Sequence, residues 1–233
     1  MRLNTAMILA AGRGERMRPL TDAVPKPLLK VRGKSLIEYH LEALKQADYQ
    51  RVIINHAWLG QQIESAIGTG KRFGLEIVYS PEVAALETAG GIINALPLLC
   101  PNDHHEVFTV VNGDIFTDFD FDKLPAHFPD GIEAHLVMVN NPQHNPDGDF
   151  YLDNHRLHPT LGCKLTFSGI AMYHKRFFSQ QSIDVKPLPP MWRDAIKREK
   201  ISAQYFTGQW TDVGTPQRLG ELNTIKVNGK NDR

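Results

Sequence analysis

The amino-acid sequence predicts an α/β fold, a doubly wound Rossmann-like mixed sheet in a single domain, and three observations carry that prediction. Strand-like apolar runs alternate with segments of helical periodicity through the first half, the rhythm of a parallel sheet flanked by helices. The later half is more mixed, with strands that do not follow that rhythm. A length of 233 residues suits one large α/β core better than two small ones.

Residues 5–11 read as a buried strand that ends at Gly12. Ser35 opens a helix with Glu38 three residues on, a capping-box pattern, and Leu36, Ile37, Leu41 and Leu44 give it an apolar face. Residues 51–55 form a short β-branched strand, and residues 58–67 a helix stopped by Gly68 and Gly70. A strand over 75–79, a helix over 88–99 and an apolar strand over 107–111 complete the alternating half. Beyond it, 134–140 and 164–173 read as strands, 189–199 as a helix and 201–206 as a strand. The expected domain covers residues 1–225, with a polar tail over 226–233. The sequence shows neither an internal repeat nor a low-complexity stretch.

Lys plus Arg equals Asp plus Glu at 26 each, so the net charge is zero with histidine neutral. That balance implies no polyanionic partner, neither nucleic acid nor an acidic membrane surface, and makes any phosphate recognition local. The opening apolar run, residues 6–11, is far shorter than the roughly 20 residues a membrane span needs, and it leads into a glycine loop rather than a signal-cleavage site. Cys100 and Cys163 lie far apart in sequence. A reduced, cytoplasmic protein is the expectation.

The strongest local signal is Leu9-Ala10-Ala11-Gly12-Arg13-Gly14-Glu15-Arg16-Met17-Arg18-Pro19-Leu20-Thr21, followed by Pro25-Lys26-Pro27-Leu28. Glycines let backbone N–H groups approach phosphate oxygens, arginine adds a fork of donors, and lysine adds a compact positive charge. The bland reading of the same residues is a tight turn with solvated arginines. Two other phosphate motifs fail on inspection. Met17 stands at the third glycine of a dinucleotide fingerprint begun by Gly12 and Gly14, and Leu28 replaces the first glycine of a Walker A loop ending at Gly33-Lys34-Ser35.

A second constellation, Val110-Val111-Asn112-Gly113-Asp114, puts a carboxylate at the end of an apolar strand, where the ligand crevice of such a sheet lies. Alone it could be an Asn-Gly-Asp turn. The third, Gln209-Trp210-Thr211-Asp212-Val213-Gly214-Thr215-Pro216, sets an aspartate before a helix start with Thr215 as N-cap and Pro216 as first helical residue. His104, His105, His155 and His158 lack metal-ligand spacing and read as loop histidines. Phe116, Phe119 and Phe121 read as packing residues, Trp58 as core or interface, and Trp192 as a helix-face residue.

In order and content, from Met7 to about Leu222, these motifs resemble the sugar-phosphate nucleotidylyltransferases. The resemblance implies a sheet of the nucleotide-diphospho-sugar transferase type and a reaction joining a nucleoside triphosphate to a sugar 1-phosphate with release of pyrophosphate. Ile54-Asn55-His56-Ala57-Trp58-Leu59-Gly60-Gln61-Gln62-Ile63, Leu86-Glu87-Thr88-Ala89-Gly90-Gly91-Ile92 and Leu165-Thr166-Phe167-Ser168-Gly169-Ile170 are most similar to the branch that transfers UMP from UTP to N-acetylmuramate 1-phosphate in peptidoglycan recycling. The resemblance further implies Arg16 and Lys26 as catalytic residues, and Ala11, Gly12, Arg13, Gly14, Glu15, Arg16, Lys26, Ser80, Gly90 and Asn112 around the nucleotide. Gly148, Thr166 and Asp212 fall at the sugar phosphate, and Asp114 and Asp212 hold Mg²⁺. Lys164, Arg193 and the backbone around Gly148 are the expected donors to a lactyl carboxylate. The stretch Glu82-Val83-Ala84-Ala85, Ala89 and the Pro101 to His105 loop depart from the pattern; the resemblance sets these departures beside the base pocket, where they bear on nucleotide choice. The resemblance implies no obligate protein partner. Two alternatives stand beside this reading: a guanylyl- or thymidylyltransferase acting on mannose or glucose 1-phosphate, and a non-catalytic regulatory subunit.

Overall fold

In the computed structural model, which describes residues 5–102 and 104–224, the chain opens with β1 (Thr5–Leu9). Its side chains alternate between two cores, Met7 on one face of the sheet and Ala6 and Ile8 on the other, as a strand covered on both sides requires. A short helix α1 (Leu20–Ala23) and the hairpin β2 (Lys30–Val31) and β3 (Lys34–Ser35) follow. Then come α2 (Leu36–Gln46), β4 (Arg51–His56), α3 (Gly60–Ile67), β5 (Glu76–Pro81), α4 (Glu87–Leu99) and β6 (Val107–Asn112). The second half adds β7 (Ile115–Thr117), β8 (Ala134–Val139), β9 (Phe150–Asp153), β10 (Arg156–His158) and β11 (Cys163–His174). It closes with α5 (Pro189–Lys197), β12 (Ile201–Tyr205), β13 (Trp210–Asp212) and α6 (Pro216–Thr224).

The central sheet runs β5-β4-β1-β6-β11-β8-β12-β10-β9. Its first four strands are parallel, and β11 then lies antiparallel to both β6 and β8, so the sheet is mixed. The strand order turns back at β1, with β4 and β5 on one side and β6 on the other. That switch point opens a crevice beyond the carboxyl ends of β1 and β6. α2 starts as its residues specify: the Ser35 main-chain N–H and hydroxyl both donate to Glu38 Oε2, at 3.0 and 2.6 Å. Such a cap is worth about 1 kcal/mol.

Several expectations shift by a residue or two, and three are corrected. The first strand stops at Leu9 rather than residue 11, because the Ala10 N–H donates to the Asn55 side chain at 3.0 Å. The second helix begins at Gly60, not 58, because Leu59 takes a left-handed φ of 54° and ends the preceding turn. Trp58 is therefore neither helical nor core: it is 38% exposed, with the Arg13 guanidinium 4.0 Å from its ring centre. Phe116, Phe119, Phe121 and Trp192 are buried, as packing residues should be. The 226–233 tail lies outside the described residues.

Candidate active site

The loop after β1 is folded by its own residues. Gly14 takes a left-handed φ of 69°, and its carbonyl accepts the Thr21 hydroxyl at 2.9 Å. Arg13 donates to the Thr21 carbonyl at 2.8 Å and to Asp22 Oδ1 at 2.7 Å, and the Trp58 indole donates to the same carbonyl at 3.0 Å. The bond from Arg13 holds the Asp22 carboxyl below its ordinary range. Met17, wholly buried, pins the loop to the core beneath.

Asp114 follows β6, where the Gly113 N–H donates to the Leu9 carbonyl at 2.9 Å. A Cβ on Gly113 would stand 2.7 Å from that oxygen, so only glycine lets the ends of β1 and β6 approach this closely. The buried Lys26 ammonium donates to Asp114 Oδ2 at 2.5 Å. Asp212 arrives from the far end of the chain: β13 pairs antiparallel with β7, and the Val213 N–H donates to the Asp114 carbonyl at 2.8 Å. Arg218 Nη1 donates to Asp212 Oδ1, and His144 Nε2 lies 2.9 Å from the same oxygen.

Two cavities meet at this point. One, of about 360 Å³, is bordered by Ala11, Gly12, Arg13, Lys26, Asn112 and Asp114, with Thr88 and Glu87 on its far wall. The other, of about 290 Å³, is bordered by Arg16, Asn112, Asp114, Thr166 and Asp212, with His144, Asn145 and Trp210. Asn112 and Asp114 border both. A wider hollow of about 620 Å³ near Cys100, Glu106 and His174 lies at the opposite end of β6, away from these residues.

The remaining residues singled out from the sequence stand outside the two cavities. Gly14 packs on Thr21 and Lys26, and Glu15 turns outward toward Arg13 and Arg18. The Ser80 hydroxyl is buried and accepts from Asn94 at 3.3 Å. Gly90 lies against the Asp184 main chain, where an added Cβ would be 2.1 Å from the carbonyl oxygen. Gly148 packs against Asn141. Of the expected carboxylate donors, Lys164 sits over the Tyr151 ring at 5.5 Å and Arg193 is exposed on α5, so neither borders the second cavity.

Sequence reasoning missed three groups that the fold brings in. Asn55 Nδ2 donates to Glu82 Oε1 at 2.7 Å, and Glu82 Oε2 accepts the Leu86 N–H at 2.9 Å, forming a buried wall of the first cavity. A carboxylate directly after an apolar strand was the available signal for Glu82. His144 and Asn145 border the second cavity from a loop with no periodicity to announce them. Asn145 donates to the Thr166 hydroxyl at 3.1 Å, and that hydroxyl donates to Asn141 at 2.9 Å, which fixes the Thr166 side chain.

Residues 5–150 match the family model described as Nucleotidyl transferase. N-acetylmuramate alpha-1-phosphate uridylyltransferase of Neisseria meningitidis serogroup B is 51% identical over 228 residues, covering 94% of this chain and 97% of that protein. The catalytic subunit beta of mannose-1-phosphate guanylyltransferase from Drosophila melanogaster is 29% identical over 91% of this chain, which spans 60% of its length. A solved structure from Bacillus anthracis, provisionally assigned as a glucose-1-phosphate thymidylyltransferase and complexed with sucrose, superposes with a TM-score of 0.82 over 97% of this chain and 98% of its own, at 20% identity. That last likeness is one of fold. Family match, near full-length identity and fold agree: the chain belongs to the nucleotidyl transferase family.

Proposed function

We propose that this nucleotidyl transferase moves UMP from UTP to N-acetyl-α-muramate 1-phosphate, forming a UDP-sugar and pyrophosphate as a step of cytoplasmic peptidoglycan recycling. The observation that carries the reading is the Lys26–Asp114 pair at the junction of two cavities, one floored by the glycine loop and the other by Thr166 and Asn145. Substrate identity rests on the Neisseria relative, an N-acetylmuramate alpha-1-phosphate uridylyltransferase.

In this reading UTP lies along the loop of Ala11, Gly12 and Arg13, and the sugar 1-phosphate enters the second cavity. An oxygen of the sugar phosphate attacks the α-phosphorus, the new P–O bond forms as the α–β bridge breaks, and pyrophosphate leaves. The attacking oxygen is already anionic, so no general base is required. What the chain must do is hold two anions in line and offset their charge. Lys26, paired with Asp114, borders the first cavity and Arg16 the second, so the two would meet phosphates crossing the junction. Asn112 borders both cavities at the same point.

The donor set fits Mg²⁺. Asp114 and Asp212 border one cavity from paired strands, both offer oxygen, and one oxygen of each accepts no hydrogen bond from the described residues. Bound to them, the ion would offset charge on the phosphoryl oxygens. Lys164 and Arg193 do not border that cavity, so the lactyl carboxylate would meet His144 and Asn145 on its wall instead.

Pyrophosphate release across a matrix of triphosphates and sugar 1-phosphates tests the proposal. UTP with N-acetylmuramate 1-phosphate should exceed UTP with N-acetylglucosamine 1-phosphate by about tenfold or more in kcat/KM, or about 1.4 kcal/mol. GTP with mannose 1-phosphate as the best pair would overturn the substrate assignment.

A further inference from the structure

The two carboxylates at the junction are balanced by cations of opposite character. Lys26 reaches Asp114 with one ammonium on a four-carbon stem. Arg218 is tied down at every turn. It lies in the first turn of α6, where its main-chain N–H donates to the Thr215 hydroxyl oxygen at 3.3 Å and its Nε lies 3.4 Å from the same atom. Its Nη1 donates both to Asp212 Oδ1 and to the Asp212 main-chain carbonyl, the latter at 3.1 Å. The Gly214 N–H donates to that carbonyl as well, at 2.9 Å. A Cβ on Gly214 would stand 2.6 Å from Arg218 Nη2 and 3.0 Å from Asp212 Oδ2, so the fork and the carboxylate close directly over a bare glycine. The Arg218 side chain is 15% exposed.

We infer that Arg218 is the positioning residue for the Asp212 carboxylate: it fixes Oδ1 and the main chain together, so that Oδ2 is presented to the cation. The planar guanidinium bonds Asp212 through Nη1 while its Nε faces the Thr215 hydroxyl, a rigid span that an ammonium, a point charge, cannot reproduce. Lys26 is free to exchange Asp114 for a phosphate, but Arg218 keeps its partners whatever enters the cavity. His144 reaches the same carboxylate from the loop bordering the second cavity, its Nε2 2.9 Å from Asp212 Oδ1. That loop and the Arg218 clamp thereby meet on one carboxylate oxygen.

The inference rests on the proposed role of Asp212 as a metal ligand, and its test separates the two. Mn²⁺ binding is measured by electron paramagnetic resonance on the wild type and on R218Q, R218K and D212N, each with a UTP analogue whose α–β bridge cannot be cleaved. Activation by Mg²⁺ and melting midpoints are followed in parallel. R218Q should bind Mn²⁺ at least tenfold more weakly and need correspondingly more Mg²⁺ for half-maximal rate, with KM for UTP at saturating Mg²⁺ within twofold of wild type. R218K should recover part of the loss, because it restores the charge without the fork. If D212N weakens Mn²⁺ binding and folded R218Q and R218K both bind it like wild type, Arg218 is structural only and the inference fails alone. If D212N also binds like wild type, the metal reading of Asp212 fails and takes the inference with it. If R218Q does not fold, R218K decides: wild-type affinity in that variant overturns the inference.

Discussion

Lys26 is nearly covered while its partner Asp114 remains 37% exposed, so water still reaches the carboxylate when the ammonium is removed. A pair open to solvent on one side contributes about 1 kcal/mol or less to stability. Removing a charge placed at transferring phosphates costs about 2.7–4 kcal/mol of barrier, a factor of about 10²–10³ in rate. Lys26→Ala should therefore lower kcat by two to three orders of magnitude while its melting midpoint moves by no more than about 4 °C. Steady-state kinetics beside thermal unfolding check this. A midpoint that collapses together with activity would reassign Lys26 as a packing residue held by Pro25 and Pro27.

Helical glycines usually cost stability, but α4 and α6 carry glycines of opposite meaning. A Cβ on Gly91 would stand 2.7 Å from Glu82 Oε1 and 2.8 Å from Asn55 Nδ2, inside the hydrogen bond that walls the first cavity. Gly91→Ala should break that pair, leave a buried polar group unsatisfied at about 1–3 kcal/mol, and raise KM for the nucleotide. Gly220, exposed on α6, has nothing within 4 Å of the same position. Gly220→Ala should stabilise by about 0.5–1 kcal/mol and leave KM alone. Thermal melts and UTP titration of both variants test the contrast, and a shift of the same sign in each would refute it.

The elements also show what a sequence can disclose. The parallel half was legible because β1, β4 and β6 are continuous apolar runs and α2 is marked by its cap. Helix α6 was announced by Thr215 and Pro216 alone. β7 and β13, three residues each, are too short to show a period, yet they set Asp114 beside Asp212. The cations and carboxylates could be picked out because they close an apolar strand or sit among glycines or prolines. The pairings of Asn55 with Glu82 and of His144 with Asp212 could not, although Glu82 itself follows an apolar strand, since each joins residues distant in the chain. Of the two places expected for Trp58, the core is not the one it takes: the left-handed Leu59 and the stacked Arg13 hold it at the surface.

At the scale of the whole molecule, two buried histidines contribute to the loss of stability in acid. His40 is wholly buried and bonds the main chain of Ile115, and its Nε2 has no partner among the described residues. Burial pulls it down to about 4. His135 is pulled to about 4 by the same cause, and lies 2.9 Å from the Ser202 hydroxyl and 3.0 Å from the Gln204 carbonyl oxygen. Both fold neutral. The unfolded chain takes up their protons near the ordinary pKa of about 6.5 while the folded protein refuses them until about pH 4. Stability is therefore fully present above pH 6.5 and falls between 6.5 and 4, by about 1.4 kcal/mol per pH unit for each histidine. His135→Asn, which keeps a donor and an acceptor, should reduce that slope by about one proton. Urea midpoints measured from pH 7.5 to 4 would show it, and an unchanged slope would exclude His135 as a source.

The bond from the Val213 amide to the Asp114 carbonyl has a consequence for the order of events as the protein is made. It joins positions about 100 residues apart, and the entropy of closing such a span must be met before either short strand gains anything. A ribosome that has released residue 114 has already supplied β1, β4, β5 and β6, enough to lay down a parallel sheet with the glycine loop at its edge. That nascent sheet presents Lys26 and Asp114 to solvent without Asp212 beside them. The proposed centre thus comes together in one late step, when residues 210–212 dock, and an unfinished chain holds the loop without the second carboxylate that the proposal requires.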